Sequence, residues 1–410
     1  MASDPRLTIL LTLKGRHLFT LRWLWHANRI NLPFRIFIAD GEVHPAIARV
    51  IEDRSVFPNL EIEYHRYHDR TFHDFYQKLD DALCKITTPY VMMADNDDFL
   101  FPSGIIRGLH VLERSTDYVC AGGCVGHFEL GIGRKDSSNL TGRIKKIWYQ
   151  QSKAYRPFDL ASSLASERVI DVCADSLTVH YNVYRVNALR RLASEQLKIN
   201  FSRLENAELF WKLRTATLGK LKSDPSYISY LRQVGTSLNP SRMDKVGEVL
   251  TSEAYLNETR SIMKSIASIS SKSDGIIPEV IEKELDACFA ENLKAKLIQV
   301  FGWRSAVKLS VKKCLPELFL QRLRLAGERI RSGKSSAMGG RPISREQLFM
   351  LATKAGATEE LVNDQNKELV EIEATLQSRE FLTFIQLHAC TLLPQSQENH
   401  GGSLGDRNFA

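Results

Sequence analysis

The sequence lacks the features that mark membrane-spanning and secreted proteins. No uncharged apolar run approaches the roughly 18 residues of a membrane-spanning helix. The N-terminal stretch MASDPR is not the basic start that a secretory signal places before an apolar core of roughly 7–15 residues. The seven cysteines are odd in number and scattered along the chain, which argues against a disulfide framework. These absences lead us to expect a cytoplasmic protein whose thiols are buried.

Two common kinds of ligand site are also missing from the sequence. The segment KGR at 14–16 has too little glycine for the phosphate-binding loop of kinases and ATPases. His65, His68 and His73 form the densest histidine group, together with Asp69. No cysteine joins this group and its spacing fits no familiar zinc site. We therefore expect neither a phosphate-binding loop nor zinc.

The positive charge of the chain is concentrated in one segment. The 410 residues suffice for two or three domains, because single cores seldom grow beyond roughly 250 residues. Hydrophobic residues make up 43% and charged residues 25%, as in ordinary globular proteins. The net charge is +7, and the segment 294–341 contains twelve Lys or Arg residues but only two Glu. This distribution predicts a local basic patch, so no nucleic acid partner is expected.

Strand-like and helix-like patterns alternate over the first 120 residues, which predicts an α/β fold with a mostly parallel, Rossmann-like sheet covered by helices. The predicted strands are 7–13, 35–39, 60–64 and 90–94, and the predicted helices are 18–30, 43–51, 71–86 and 103–113. Later segments alternate less regularly: 118–120, 176–184 and 227–231 are strand-like, and 186–193 and 204–213 are helical. From about 241 only helical periodicity remains, at 246–269, 278–300, 308–330 and 358–393. We expect a sheet domain over 1–240, an all-α C-terminal region over 241–393 and a disordered tail over 394–410.

Each predicted strand of the first four ends in a polar or glycine-bearing loop, at 14–16, 40–42, 65–68 and 95–98. In right-handed βαβ units such loops converge on one edge of the sheet, where ligands bind. The fourth loop is the most informative, because Asp95, Asp97 and Asp98 fill three of its four positions. Like charges this close are costly unless a cation shares them, which predicts Mg²⁺ or Mn²⁺ with a phosphorylated ligand. The alternative is a solvated turn that caps the next helix.

The order of these elements, and the motif that closes each strand, resembles a family-2 glycosyltransferase of the GT-A fold. The loop TLKGR at 12–16 resembles the Pro-Thr-x-Asn-Arg loop of that family in its threonine and arginine. The turn ADGE at 39–42 resembles Asp-Asp-Gly-Ser, and TTPYV at 87–91 leads into the family's Asp-x-Asp-Asp-Phe pattern. The resemblance covers roughly residues 6–240. It implies a GT-A sheet and a nucleotide-sugar donor.

The resemblance also implies roles for the acidic loop residues. Asp40 would bind the base and ribose of the donor, because a carboxylate in a glycine-bearing turn accepts hydrogen bonds from an imide or a hydroxyl. Asp95 would contact the ribose, and Asp97 would ligate the metal that bridges the diphosphate. Asp98 would belong to the metal site or cap the helix near Pro102.

Basic residues at the same edge are candidates for contact with the diphosphate or the base. Thr12 closes the first strand, and Lys14, Arg16 and Lys78 carry charge that can meet the leaving group. Arg232 would stabilise the departing nucleoside diphosphate. The alternative for each lysine and arginine is a solvated surface position.

A second acidic group lies in the helical stretch LENAELFW at 204–211. An inverting transferase needs a carboxylate that takes the proton from the attacking hydroxyl. The family that the chain resembles uses the aspartate of a Glu-Asp-x-Glu-Leu motif, where this chain has Asn206, which cannot accept a proton at neutral pH. Glu205 or Glu208 would then be the base, with Glu205 preferred. A solvated helix face is the alternative.

The helical C-terminal region suggests two further contacts. Residues 308–330 mix apolar and basic side chains, which suits either an anionic membrane surface near a lipid-linked acceptor or packing on the sheet domain. Residues 358–393 have the composition of pairing helices, so a homodimer contact is also expected.

Together these features predict a metal-dependent glycosyltransferase. It would move a sugar from a nucleotide diphosphate sugar to a hydroxyl of a glycan or lipid-linked acceptor, with inversion. By resemblance, the setting is surface glycan synthesis, in the cytoplasm or at the inner face of the membrane. The alternative enzyme is a nucleotidyltransferase, which needs a glycine-rich basic first loop. The alternative of another class is a catalytically inactive binding or scaffold module recruited to a membrane or polyanion, which Asn206 favours.

Overall fold

The centre of the protein is a mixed β-sheet, which is ten-stranded within the part of the chain that the structure describes. The computed structural model describes residues 3–42, 47–131, 140–149, 157–175, 177–234, 249–312 and 343–392. Its strands are β1 (Asp4–Leu13), β2 (Phe34–Asp40), β3 (Ile62–Arg66), β4 (Tyr90–Ala94), β5 (Phe99–Leu100), β6 (Tyr118–Gly131), β7 (Arg143–Tyr149), β8 (Phe158–Leu160), β9 (Val183–Arg185) and β10 (Lys220–Gln233).

Helices connect these strands and continue beyond the last of them. Those of the first half are α1 (His17–Arg29), α2 (Ala48–Glu52), α3 (Phe72–Lys85), α4 (Pro102–Arg114), α5 (Ala165–Asp175), α6 (Val186–Ile199) and α7 (Leu204–Leu218). After β10 follow α8 (Glu253–Asp274), α9 (Pro278–Lys312), α10 (Arg345–Lys354), α11 (Glu359–Leu376) and α12 (Arg379–Leu392).

The strand order across the sheet is β3-β2-β1-β4-β9-β6-β10-β5, with β7 on β6 and β8 on β10. Strands β3, β2, β1 and β4 are parallel, and so are β6 and β10, whereas β9, β5, β7 and β8 pair antiparallel with their neighbours. The carboxyl ends of β1 to β4 therefore meet at one edge of the sheet, where ligands bind in folds of this kind.

Helices cover both faces of the sheet, because successive strand residues point to opposite sides. On β1, Leu10 packs in the core that contains α3, α5, α6 and α7, while Ile9 and Leu11 pack in the core that contains α1, α2 and α4. Strands buried on both faces are apolar throughout, which is why these segments read as continuous apolar runs. The predicted α/β fold with helices on both faces and a helical C-terminal region is confirmed.

Several predicted elements are wrong in their extent: 118–120 is only the start of β6, and 227–231 lies within the longer β10. Residues 176–184 alternate like a strand, yet only the last of them enter β9. The alternation has another cause: Leu177 and Val179 point into the core, whereas Thr178 and His180 line a cavity. The helix predicted over 358–393 breaks into α11 and α12, because the Ser378 hydroxyl accepts a hydrogen bond from the Phe381 amide at 3.0 Å and starts a new helix. The strands β5, β7 and β8 and the helices α5 and α10 were not predicted.

Several predictions fall outside the described residues. They concern most of the basic segment 294–341, most of the helix predicted at 308–330 and the tail 394–410. None of the described helices is both long enough and apolar enough to cross a membrane.

The helical C-terminal region packs into the cores of the sheet. Ile262 and Met263 of α8 and Leu285 of α9 belong to the same core as α3 and α7. Apolar residues of α11 and α12, which the sequence suggested for pairing with a second copy, are buried against the sheet domain of the same chain, as Leu369 and Phe381 illustrate. The boundary expected at 240 therefore marks a change in secondary structure. The sheet domain and the C-terminal helices on its two sides pack in common hydrophobic cores.

Helix α4 approaches the sheet closely at Gly104. A Cβ atom placed on this glycine would lie 1.9 Å from the backbone oxygen of Ile228 in β10. We expect Gly104→Ala to lower the free energy of unfolding by about 1–3 kcal/mol, because α4 must move away from β10. Chemical denaturation measures the change, with Arg107→Ala at an exposed position of α4 as the control. Equal stability of the two variants would show that this contact is not tight.

Candidate active site

The turn after β4 gathers three carboxylates, here called the acidic cluster, at the carboxyl edge of the sheet. One carboxylate oxygen from each of Asp95, Asp97 and Asp98 lies within 4.8 Å of the others. Asp97 and Asp98 are only 9% and 2% exposed, so water screens their repulsion poorly. The side-chain Nδ2 of Asn96 donates to Thr20 Oγ1 at 2.9 Å and fastens the turn to α1. The cluster offers the oxygen ligands that a hard divalent cation prefers.

Asp98 connects the acidic cluster to β10. Its Oδ1 accepts a hydrogen bond from the Gln233 amide at 2.8 Å, and Arg232 Nε lies 3.5 Å from its Oδ2. Burial, together with the charge of Asp97, raises the pKa of Asp98 well above its ordinary value. Since the carboxylate faces β10 and α4 starts after Phe101 without a side-chain cap, the alternative role of Asp98 as a helix cap is wrong.

Three arginines surround the three aspartates. Arg16 Nη2 donates to Asp97 Oδ2 at 2.6 Å. Arg22 is fully buried, and its Nη2 donates to the backbone carbonyl of Asp97 at 2.6 Å. Burial raises the pKa of Asp95, and the charge of Arg232 opposes that rise. A divalent ion that binds Asp97 must therefore share its carboxylate with Arg16 or displace that guanidinium.

Asp40 lies where the sequence placed it, at the end of β2. It is 1% exposed and accepts hydrogen bonds from Tyr64 Oη at 2.8 Å and from the Glu42 amide at 2.9 Å. The Gly41 amide donates to the Leu13 carbonyl at 2.9 Å, which closes the turn onto the end of β1. These bonds fix the direction of the Asp40 carboxylate.

A buried ion pair stands beside Asp40. Lys78 Nζ on α3 donates to Asp69 Oδ2 at 2.5 Å and to the Leu13 carbonyl at 3.1 Å. The more exposed Lys14 approaches Asp69 Oδ1 at 3.6 Å. Burial lowers the pKa of Lys78, and the charge of Asp69 opposes this effect. A Cβ at Gly41 would lie 2.4 Å from Asp69 Cβ, so only glycine lets the turn close over this pair.

A cavity of about 300 Å³ extends from the acidic cluster to α7. Thr12, Asp95 and Arg232 line it beside the acidic cluster, and Glu208 of α7 lines it as well. The walls between them are largely apolar and aromatic, formed by Phe75, Leu79, Met93, His180, Tyr181 and Trp211. This combination of an aromatic wall with a few charged groups suits a sugar ring and its hydroxyls.

The two candidate bases differ in their access to this cavity. Glu208 lines it, whereas Glu205 lines a smaller neighbouring cavity of about 80 Å³ between α7 and the helices α8 and α9. Asn206 is fully buried and turns away toward α8, where its side chain donates to the Glu258 carboxylate and, at 3.3 Å, to the Tyr255 carbonyl. Asn206 thus joins α7 to α8, and the geometry ranks Glu208 ahead of Glu205.

Aromatic side chains connect the acidic cluster to the cavity. The rings of Tyr181 and Tyr230 stack with centroids 4.3 Å apart, and the Arg232 guanidinium lies 4.9 Å from the centre of the Tyr181 ring. The Asp95 amide donates to Tyr230 Oη at 2.8 Å, and Tyr181 Oη approaches Asp95 Oδ2 at 3.4 Å. Burial lowers the pKa of His180 to about 3, so this residue is a neutral hydrogen-bonding group at physiological pH.

Sequence reasoning missed several residues of this site. Asp69 was considered only with the neighbouring histidines. Its position just after β3, at the same edge of the sheet as the candidate Lys78, could have pointed to it. Arg22 could have been found as a charged residue in the apolar run of α1, because a buried guanidinium needs internal acceptors. Tyr64 and Tyr230 lie inside strands, and their contacts with the site depend on tertiary packing.

No protein-family model matches the sequence, and neither does any protein in a search of curated proteins. Solved structures do match its fold. TarS of S. aureus is 9% identical, with a TM-score of 0.44 over 79% of this chain. The chain spans 53% of the length of that structure.

Two further structures have similar coverage of both chains. Residues 1–349 of S. aureus TarS, in complex with UDP-GlcNAc, are 11% identical with a TM-score of 0.44, over 90% of each chain. The mannosyltransferase PcManGT of Pyrobaculum calidifontis, in complex with GDP-Man and Mn²⁺, is 12% identical with a TM-score of 0.41, over 90% of this chain and 89% of that one. At similarity this low the likeness carries no argument for function, which must come from the geometry of the site.

Proposed function

We propose that this chain is a glycosyltransferase that moves a sugar from a nucleotide diphosphate sugar to an acceptor hydroxyl, with inversion at the anomeric carbon. The observation that carries the proposal is one cavity lined by Asp95 of the acidic cluster, by Arg232 and by Glu208. A donor diphosphate near the cluster would place its sugar between the aromatic walls. The acceptor hydroxyl would then enter beside Glu208.

The carboxyl edge of β1 to β3 supports binding of the nucleoside. Asp40, held by Tyr64 and the Glu42 amide, is a fixed acceptor for a ribose hydroxyl or a base N–H. Asp69 and Lys78 beside it provide a buried pair of opposite charges that can bond to polar edges of a base. Lys14 approaches Asp69 and Arg16 bonds to Asp97, so the loop after β1 connects this pair to the acidic cluster and supplies positive charge for the diphosphate.

The residues of the acidic cluster fit a divalent metal ion. Asp98 Oδ2 is buried and accepts no hydrogen bond from the described residues, so it retains lone pairs for an ion. Asp95 and Asp97 would complete the protein's share of the ligands, with Mg²⁺ and Mn²⁺ as the two candidates. An ion held by these carboxylates would supply positive charge that offsets the charge developing on the leaving group.

In the proposed reaction the acceptor oxygen bonds to the anomeric carbon while the bond from that carbon to the diphosphate oxygen breaks. The hydroxyl proton passes to the Glu208 carboxylate, and the electron pair of the broken bond leaves with the nucleoside diphosphate. Arg232, held over the Tyr181 ring, would stabilise the negative charge that develops there. Glu208 thus takes the role that the resemblance assigns to an aspartate at position 206.

The setting of the reaction belongs to the same proposal. A glycan or lipid-linked acceptor, surface glycan synthesis and contact of the basic segment with an anionic membrane remain predictions, because most of that segment lies outside the described residues. The inactive-module alternative rested on Asn206, and the bonds of Asn206 to α8 give that residue a packing role that leaves catalysis to Glu208.

We expect UDP or GDP together with Mn²⁺ to raise the melting temperature of the protein, and Asp97→Asn to remove the metal-dependent part of the shift. The physical reason is that the variant loses one full negative charge from the metal site. Differential scanning fluorimetry with and without a chelator measures both effects. Asp53→Asn, at an exposed position, is the matched control. A wild-type protein that shows no metal-dependent shift with any nucleotide would contradict the proposed function.

We expect Glu208→Gln to lower kcat by roughly 10²–10⁴-fold, because the amide cannot take the acceptor proton. Donor binding, measured by calorimetry, should stay unchanged, since Glu208 lies on α7 and is not part of the acidic cluster. Glu205→Gln is the matched control and should retain most of the turnover, measured as release of nucleoside diphosphate from a donor that the wild type accepts. The reverse ranking of the two variants would assign the base to Glu205.

The ion pair between Arg16 and Asp97 predicts that metal binding depends on the donor. Without a nucleotide, an incoming Mn²⁺ meets the Arg16 guanidinium at Asp97, so the wild type should bind Mn²⁺ weakly. Without nucleotide, Arg16→Met should bind Mn²⁺ at least about tenfold more tightly than the wild type does. This is the change in affinity that ~1.4 kcal/mol of relieved repulsion produces. Titration of free Mn²⁺ by electron paramagnetic resonance measures this affinity, with Arg35→Met as the control. Unchanged affinity in Arg16→Met would show that the arginine does not compete with the ion.

A further inference from the structure

The segments that carry the candidate site reach one common helix, α11, through buried polar bonds. The acidic cluster precedes β5 and α4, Arg16 precedes α1, and Arg232 lies on β10. Helix α11 bonds to α4, α1 and β10 through Glu368, Thr375 and Gln365 respectively. These residues are separated by spacings of three, seven and ten positions, which places them along one face of the helix.

The first of these contacts is made by Gln365. This residue is 1% exposed, and its side chain bonds to both backbone groups of one residue of β10. The Ile228 amide donates to Gln365 Oε1 at 3.1 Å, and Gln365 Nε2 donates to the Ile228 carbonyl at 2.7 Å. The register of β10 against β6 shifts on both sides of Ile228, so a side chain satisfies backbone groups where the strand pairing is irregular. Tyr230 and Arg232 follow immediately along β10.

The second contact holds the start of α4. Glu368 Oε1 accepts a hydrogen bond from the Ser103 amide at 2.8 Å, and Oε2 accepts one from the Ser103 hydroxyl at 2.7 Å. A carboxylate at this position satisfies an amide that the helix itself leaves unpaired. Burial raises the pKa of Glu368 to about 7. Ser103 is five residues from Asp98, so the contact anchors the chain that leaves the acidic cluster.

The third contact reaches α1 and, through it, the acidic turn. Thr375 Oγ1 and His26 Nδ1 lie 2.9 Å apart in a buried hydrogen bond. The His26 ring packs edge-on against Phe99 with centroids 4.9 Å apart, and Phe99 directly follows Asp98. One turn along α11, Glu371 pairs with Arg29 of α1 at 2.8 Å.

We propose that α11 is a positioning brace, which holds β10, α4 and α1 in the arrangement that brings Arg232 and Arg16 to the acidic cluster beside the cavity. Gln365 and Glu368 are positioning residues of the site, since they act through the backbone of Ile228 and Ser103. The C-terminal helical region is then part of the donor-binding machinery, although its helix contributes no residue to the cavity lining.

The experiment compares polar with apolar contacts of the same helix. Gln365→Met and Glu368→Ala remove brace bonds, whereas Leu369→Ala removes only packing from a fully buried position of α11. We expect the first two variants to weaken binding of UDP or GDP with Mn²⁺ at least tenfold in calorimetry, well below their melting temperatures. Leu369→Ala should lose stability but keep nucleotide affinity within twofold. Glu368→Gln keeps an acceptor for the Ser103 amide and should restore affinity.

The nucleotide readout rests on the proposed function, and amide hydrogen exchange tests the brace without it. In Gln365→Met, exchange should accelerate in peptides from 95–101 and 228–234 without a matching change in α6, whereas Leu369→Ala should leave both peptides protected. If the wild type binds no nucleotide, the proposed function fails and the exchange data still decide on the brace. Unchanged exchange in folded Gln365→Met, or an equal effect of Leu369→Ala, would overturn the brace.

Discussion

One buried guanidinium, that of Arg22, sets the arrangement on which the site depends. Burial of a positive charge is costly unless several acceptors surround it. Arg22 has three: the Asp97 carbonyl at 2.6 Å, the Leu140 carbonyl at 2.9 Å and Gln233 Oε1 at 2.7 Å. These acceptors belong to the acidic turn, to the segment before β7 and to the end of β10. The cost of burying the charge therefore penalises any displacement of the three segments relative to α1.

The same electrostatic balance explains how three aspartates can share a nearly dry turn. Arg16 neutralises Asp97 directly, Arg22 bonds to its backbone, and Arg232 approaches Asp98. Such a site can bind an anionic group as well as a cation. Its arginines can turn to phosphate oxygens when an ion takes their place at the aspartates. On donor binding, the arginines would exchange carboxylate partners for phosphate partners.

The first half of the fold could be predicted because its signals are local. Strand β4 was predicted with the bounds that the structure has, and β1 to β3 and α1, α3 and α4 to within a few residues, since apolar runs alternate with amphipathic helices there. The convergence of the acidic turn with Asp40 follows from parallel strand order alone. By contrast, the alternation of 176–184 has two possible causes, strand pairing or a segment between core and cavity, and periodicity does not distinguish them. The break at Ser378 depends on a single capping hydroxyl within an otherwise continuous helical pattern.

The sequence by itself determined the α/β class, the carboxyl-edge position of the acidic cluster and the kind of residue at each loop, because these depend on periodicity and on the direction of parallel strands. Only the tertiary structure decided the partners of those residues. It placed Arg16 on Asp97, directed Asn206 to α8, put Glu208 rather than Glu205 on the large cavity, and brought Gln365 to Ile228 from 137 positions away. The physical reason is that side-chain partners arise from packing between distant elements, and the rotation of a helix about its axis by one residue changes which carboxylate faces a cavity.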